Sequence, residues 1–180
     1  MAGPVAVGVV ALTPRMRKKF RTIKESKQLS EEKREAWVKI IKSEEGDELR
    51  TTVAMVSAKE IDRIGIVPAI RKALARAITK LKLNPSHCTV LLDGGLKAPP
   101  EYKKQQTIIR GDASETAIAM ASVVAKVKRD RLMVALEKKH PHYGFAQHKG
   151  YGTKAHYRAI KKHGLTALHR RSFLTKIDFS

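Results

Sequence analysis

Cysteine is nearly absent: Cys88 stands alone in 180 residues. That excludes an internal disulfide and any zinc site built from several cysteines, and it suits a reducing cytoplasm. No apolar run reaches the roughly 18 residues that a membrane-crossing helix needs. The opening MAGPVAVGVVAL has no basic region ahead of its apolar stretch, which makes it a poor signal peptide. Acidic residues are scarce, with 17 Asp plus Glu against 37 Lys plus Arg, a net charge of +20. Such a charge attracts polyanions, nucleic acid first and a membrane surface second. Several catalytic and cofactor signatures are missing too: no Walker loop GxxxxGK[ST], no dinucleotide GxGxxG, no HExxH zinc helix and no GxSxG elbow occur.

What remains is a chain able to fold. Hydrophobic residues make up 42%, enough for a substantial core and against general disorder. The valine-rich Pro4–Leu12 reads as a strand. Ser26–Ile41 reads as a helix with Ser30 as N-cap, Glu31 and Glu32 at its positive end, and Trp37, Ile40 and Ile41 on its apolar side. Arg50–Ser57 is a second strand, and a helical stretch begins at Ser57–Asp62. In Val67–Leu81 the residues Ile70, Leu74, Ala77, Ile78 and Leu81 fall at helical spacing. Thr89–Asp93 is a uniformly apolar strand, as in a sheet covered on both faces. A Gly- and Pro-broken loop leads to a short strand at Gln106–Arg110. A long helix then runs from Ser114 to about Lys139, with Ile118, Ala121, Val124, Ala125, Leu132 and Leu136 recurring every three or four residues. PHYGFAQHKGYGT breaks it, and Lys154–His163 is a last amphipathic helix. Strands alternating with helices predict one α/β domain over residues 1–180, sheet and flanking helices to about 140 and a basic C-terminal part beyond.

Two carboxylates stand at strand ends. Asp93 closes VLLD, and Asp112 follows the next strand in TIIRGD, 19 residues on. Neighbouring strands would bring both to one end of the sheet, where α/β folds place ligands, and carboxylates are what a hard divalent cation takes. Plainer readings stand beside this: Asp93–Gly94 as a turn pair, and Asp112 as a helix cap. Ser122 and Lys126 share a helix face and could hold a phosphate, or be a core-facing serine and a surface lysine; Asp130, four residues further, reads as a local ion partner of Lys126. Tyr151 lies between Gly150 and Gly152, a stacking platform or an ordinary loop residue. From Lys126 to Arg171 there are 13 Lys/Arg, two acids and six of the seven histidines. Interleaved aromatics (Tyr143, Phe145, Tyr151, Tyr157) favour a nucleic-acid surface over a merely solvated face. The histidines form no zinc pattern and read as loop and surface residues.

Taken in order, these motifs resemble ribonuclease HII. ESKQLSEEKRE is similar to the family's Asp-Ser-Lys-x-Leu-Ser block, with Glu25 in place of Asp; IDRIGIVPAIRKAL, LLDG, IIRGD, ASVVAKVKRDRLM and YGFAQHKGYGT follow. The resemblance implies a ribonuclease H-like mixed sheet flanked by helices, with a helical C-terminal part. It implies cleavage of the RNA strand of RNA–DNA hybrids, and at ribonucleotides embedded in duplex DNA, by metal-assisted hydrolysis leaving 5′-phosphates. Asp93 and Asp112 would be catalytic ligands of Mn2+ or Mg2+; Lys27, Ser122 and Lys126 would meet substrate phosphate; Tyr151 would stack on the sugar at an RNA–DNA junction. The family also carries, ahead of AGPV, a central strand with an Asp-Glu pair and a Gly-Arg-Gly loop. Met1 stands at that point, so the expectation is a misplaced start or a truncated gene, two site carboxylates fewer, and unpaired edges on Val5–Leu12 and Thr89–Asp93. The alternative function is a nucleic-acid-binding relative that does not cut. The tail LHRRSFLTKIDFS is too short to assign to a protein partner.

Overall fold

The computed structural model describes residues 1–175; the end of the basic tail lies outside them. Two compact units emerge. One comprises residues 6–54 and 71–127, the other, among the described residues, 1–5, 55–70 and 128–175.

The first unit holds most of the strands. β1 (Val5–Leu12) pairs with β2 (Leu49–Val56), and β3 (Val90–Asp93) pairs with β4 (Gln105–Ile108). Among the described residues no ladder joins the two pairs, so β1 and β3 each keep an edge free of strand partners. The β3–β4 pairing is parallel, with Asp93 opposite Ile108. Between β1 and β2 lie α1 (Pro14–Lys19) and α2 (Glu31–Ser43). Sequence patterning does not announce α1, yet its signals are local: Thr13 accepts from the Met16 amide as N-cap, and Pro14 fits the first turn. Ser30 caps α2 as expected, its hydroxyl accepting from the Lys33 amide at 3.2 Å. The helix itself starts at Glu31; Ser26–Gln28 forms a separate 3-10 turn. Val38 and Ile41 are its buried residues and Ile40 is exposed, which corrects the apolar side expected of it.

α3 (Ala58–Ile64) and α4 (Ile66–Lys80) follow β2. Leu74 and Ile78 of α4 pack with Leu92, Ala98 and Tyr102, and Val7, Val9 and Val90 join them half-buried. β4 ends at Ile108, before the expected boundary, because Arg110 adopts a left-handed conformation (φ 54°) that no strand accommodates. The long helix likewise divides: α5 (Gly111–Ser114) stops at an extended Glu115, and α6 (Thr116–Glu137) begins beyond it. Gly8 is where β1 meets α6. A Cβ there would lie 2.2 Å from the Ala121 carbonyl oxygen, an approach only glycine permits.

The second unit is built around Met133, Tyr143, Phe145 and Ile160, with α7 (Phe145–His148) and α8 (Lys154–His163). Its histidines correct the surface assignment. His148, His156 and His169 are buried. The His156 Nδ1–H donates to the Tyr151 carbonyl (2.8 Å), which leaves Nε2 to accept from His169 Nε2 (3.1 Å); His169 Nδ1 accepts from the Thr166 amide (2.9 Å). The chain of bonds requires neutral rings. Burial pushes the pKa values of both His156 and His169 down to about 4. Among the described residues no helix is long and apolar enough to cross a membrane.

Candidate active site

Asp93 and Asp112 converge, and the backbone does it. Parallel pairing puts the C-terminal end of β3 beside that of β4. The Gly111 amide donates to Asp93 Oδ1 at 2.9 Å, so the residue preceding Asp112 is tied to the Asp93 carboxylate. Gly111 packs closely here: a Cβ on it would lie 2.5 Å from Ile118 Cδ1 and would push that side chain aside. Gly94, at φ 63°, turns the chain after Asp93, and its amide donates to the Ile108 carbonyl at 3.2 Å. The turn reading of Asp93 therefore holds together with its placement at the strand mouth. The capping reading of Asp112 does not: Arg110 is the N-cap of α5, and Asp112 sits inside the first turn, half-buried.

Both aspartates line one cavity of about 430 Å3, and Ser122 lines it as well. Lys27 comes to the same region through its neighbour, since the Ser26 amide donates to the Ser122 hydroxyl at 3.3 Å; Lys27 itself is exposed. Lys126 lies one turn beyond Ser122 on α6 and is half-buried. One residue at the cavity was missed from sequence. Arg17 of α1 lines the cavity and pairs with Glu115 at 2.6 Å. The helix signals at Thr13-Pro14 would have placed Arg17 on a structured element, but nothing local shows its long-range partner.

Tyr151 belongs to the second unit, where it is 56% exposed. Its glycines serve close approach: a Cβ on Gly150 would lie 2.4 Å from the Ala2 carbonyl oxygen, and one on Gly152 would lie 2.5 Å from Met1 Sδ. The Arg129 guanidinium lies over the Tyr151 ring at 5.5 Å while bonding the carbonyls of Pro4, Lys149 and Ala2. Arg129 is thus a further missed residue, one that packs on the Tyr151 ring.

As to a metal, the donors fit in kind, since two half-buried carboxylates at one corner suit a hard divalent ion. They fall short in number: among the described residues no three His, Cys, Asp or Glu are so placed that they could hold a metal ion.

Strand pairs flanked by helices, with aspartates at the mouth of a parallel pair, belong to an α/β protein of the ribonuclease H-like class. Solved structures agree on the fold. The chain from the PCNA:RNase HII complex of Archaeoglobus fulgidus superposes with a TM-score of 0.76 at 23% identity, over 99% of this chain and 90% of that one. Bst-RNase HIII in complex with Mn2+ gives 0.65 at 16% identity, over 93% and 60%. The family model for ribonuclease HII matches residues 1–176. Ribonuclease HII of Endomicrobium trichonymphae is 43% identical over 173 residues, 96% of this chain and 79% of that protein. The chain belongs to the ribonuclease HII family, endonucleases that cleave the RNA of RNA–DNA hybrids.

Proposed function

We propose that this chain incises the RNA strand of RNA–DNA hybrids and at single ribonucleotides in duplex DNA, leaving a 5′-phosphate and a 3′-hydroxyl. The observation that carries the reading is the joining of Asp93 to the Asp112 turn through the Gly111 amide. Asp93 and Asp112 hold a divalent cation, Mn2+ or Mg2+. The chemistry that an ion held there would supply is water activation and charge stabilisation at the leaving oxygen. The chain's own residues do the rest. Lys27, with Ser122 and Lys126, receives a backbone phosphate near the carboxylates. Tyr151, its ring backed by Arg129, stacks on a sugar, where a 2′-hydroxyl distinguishes RNA from DNA. The net charge of +20 holds the duplex. A reducing cytoplasm, as the single cysteine suggests, is the setting.

One observation favours a second reading. With only two carboxylates gathered among the described residues, the chain would bind nucleic acid without cutting it, because two divalent ions bring four positive charges to two negative ones. A duplex carrying one ribonucleotide, incubated with the chain and millimolar Mn2+ or Mg2+, separates the readings. Nicking 5′ to the ribonucleotide, abolished by Asp93→Asn, supports the endonuclease. Salt-sensitive binding with no nick at any metal concentration supports the second reading.

A further inference from the structure

The second unit carries another exposed aromatic ring set against an arginine. Phe173 is 43% exposed, and the Arg170 guanidinium lies over its ring at 5.3 Å, as Arg129 lies over Tyr151 at 5.5 Å. Both distances fall within the roughly 6 Å at which the face of a ring attracts a cation. The two arginines share an anchorage. Arg129 donates to the carbonyls of Ala2 and Pro4, and Arg170 Nε donates to the one between them, Gly3, at 2.9 Å. The two rings therefore belong to one neighbourhood of this unit. Burial first, and then the Arg129 charge, push the Arg170 pKa down to about 10, so its guanidinium stays charged at neutral pH. Phe173 is also fixed through its backbone. It closes a 3-10 turn (Arg171–Phe173). The Arg171 and Ser172 amides of that turn donate to the Asp62 carboxylate at 2.8 and 3.0 Å, and the Ser172 hydroxyl donates to it as well. Leu174, the next residue, is buried in the core of the unit, so the turn is anchored without help from the Phe173 ring.

We propose that Phe173 is a second platform for nucleic acid, its ring packing on a sugar of the bound duplex while Arg170 backs it. A ring held rigid before binding loses little entropy on contact, and a basic chain brings the sugar–phosphate backbone to it. Aromatic packing of this kind tolerates any sequence. Phe173 differs from Tyr151 in one respect: it has no hydroxyl, and so no polar group to meet a 2′-hydroxyl. It grips ribose and deoxyribose alike. Its contribution is affinity for the duplex, not discrimination between the two sugars. The inference rests on the reading that the chain binds nucleic acid, but not on cutting or on a metal.

The test measures binding of the full chain to two labelled duplexes by fluorescence anisotropy, with divalent metal omitted. One duplex is all DNA and the other contains a single ribonucleotide. Phe173→Leu keeps an apolar side chain and loses the ring; Phe173→Trp keeps a ring. The leucine variant should bind both duplexes at least about fivefold more weakly, by the same factor, and the tryptophan variant should bind as the parent does. Urea unfolding is read alongside, and the leucine variant should unfold with the parent's midpoint. Should it not fold, Phe173→Tyr and Phe173→Met repeat the comparison of ring against chain. Parental binding by the leucine variant overturns the proposal. A loss confined to the ribonucleotide duplex overturns it as well, and so does a loss that tryptophan fails to restore. If the parent itself binds neither duplex, the nucleic-acid reading fails and takes this inference with it. If the parent binds and the leucine variant matches it, this inference fails alone.

Discussion

At the residue scale the account rests on single contacts. Asp93 has two tasks here, as a proposed metal ligand and as acceptor of the Gly111 amide at 2.9 Å. Asparagine keeps an oxygen acceptor and loses the charge; alanine loses both. Asp93→Asn should therefore leave urea stability within about 0.5 kcal/mol of the parent, and Asp93→Ala should lower it by about 1–2 kcal/mol. Equal stability of the two would show that the Gly111 bond does not hold this corner. Tyr151→Ala should weaken binding to a ribonucleotide-containing duplex by about 5- to 150-fold, the worth of one stacked ring, as read by fluorescence anisotropy. Aspartates and tyrosine were legible from sequence because strand ends, glycine pairs and motif order are local. Arg129 was not, because its task is to bond three carbonyls, of Ala2, Pro4 and Lys149, two of them over 120 residues away in sequence. The buried histidines escaped for a related reason. Nothing in their spacing shows that His156 and His169 bond each other.

Those histidines give a pH dependence with a definite sign. Folding lowers both pKa values from about 6.5 to about 4, so the unfolded chain binds more protons between these limits. Stability is thus complete above about pH 6.5 and falls as pH drops toward 4. Urea unfolding at pH 7.5, 6 and 5 should show a progressive loss, reduced when either histidine is replaced by glutamine. A flat profile over this range would contradict neutral, bonded rings.

At the element scale the strands and helices were mostly readable, and the discrepancies have physical causes. Capping hydroxyls at Ser30, Ser57 and Thr153 accept amide hydrogens in their helices, and such caps can be seen in sequence. The break at Glu115 was hidden, because apolar periodicity continues through it while the backbone turns extended. The β1–α6 contact makes a sharper prediction. Gly8→Val sets a side chain against the Ala121 carbonyl oxygen, 2.2 Å from the new Cβ, and overpacking of that kind costs about 3 kcal/mol or more, since backbone must shift. Gly46→Ala meets nothing within 4 Å and should be tolerated. Thermal unfolding of the two variants beside the parent checks this; similar behaviour would mean that β1 does not rest on α6 at Gly8.

At the scale of the whole molecule, charge decides how the chain meets its substrate. A net charge of +20 makes phosphate contacts the main source of affinity. If about six phosphates are neutralised, affinity for any duplex should fall about 10^3-fold between 50 and 200 mM salt. Charge cannot tell cutting from holding, and the family alone does not equip a given chain with a full set of ligands. That distinction lies at the corner where β3 and β4 end. Titration of Mn2+ followed by electron paramagnetic resonance reads it directly. The account predicts Mn2+ bound by the parent chain, with affinity reduced at least about tenfold in Asp93→Asn and in Asp112→Asn while both variants stay folded. Undiminished Mn2+ binding after both replacements would contradict it.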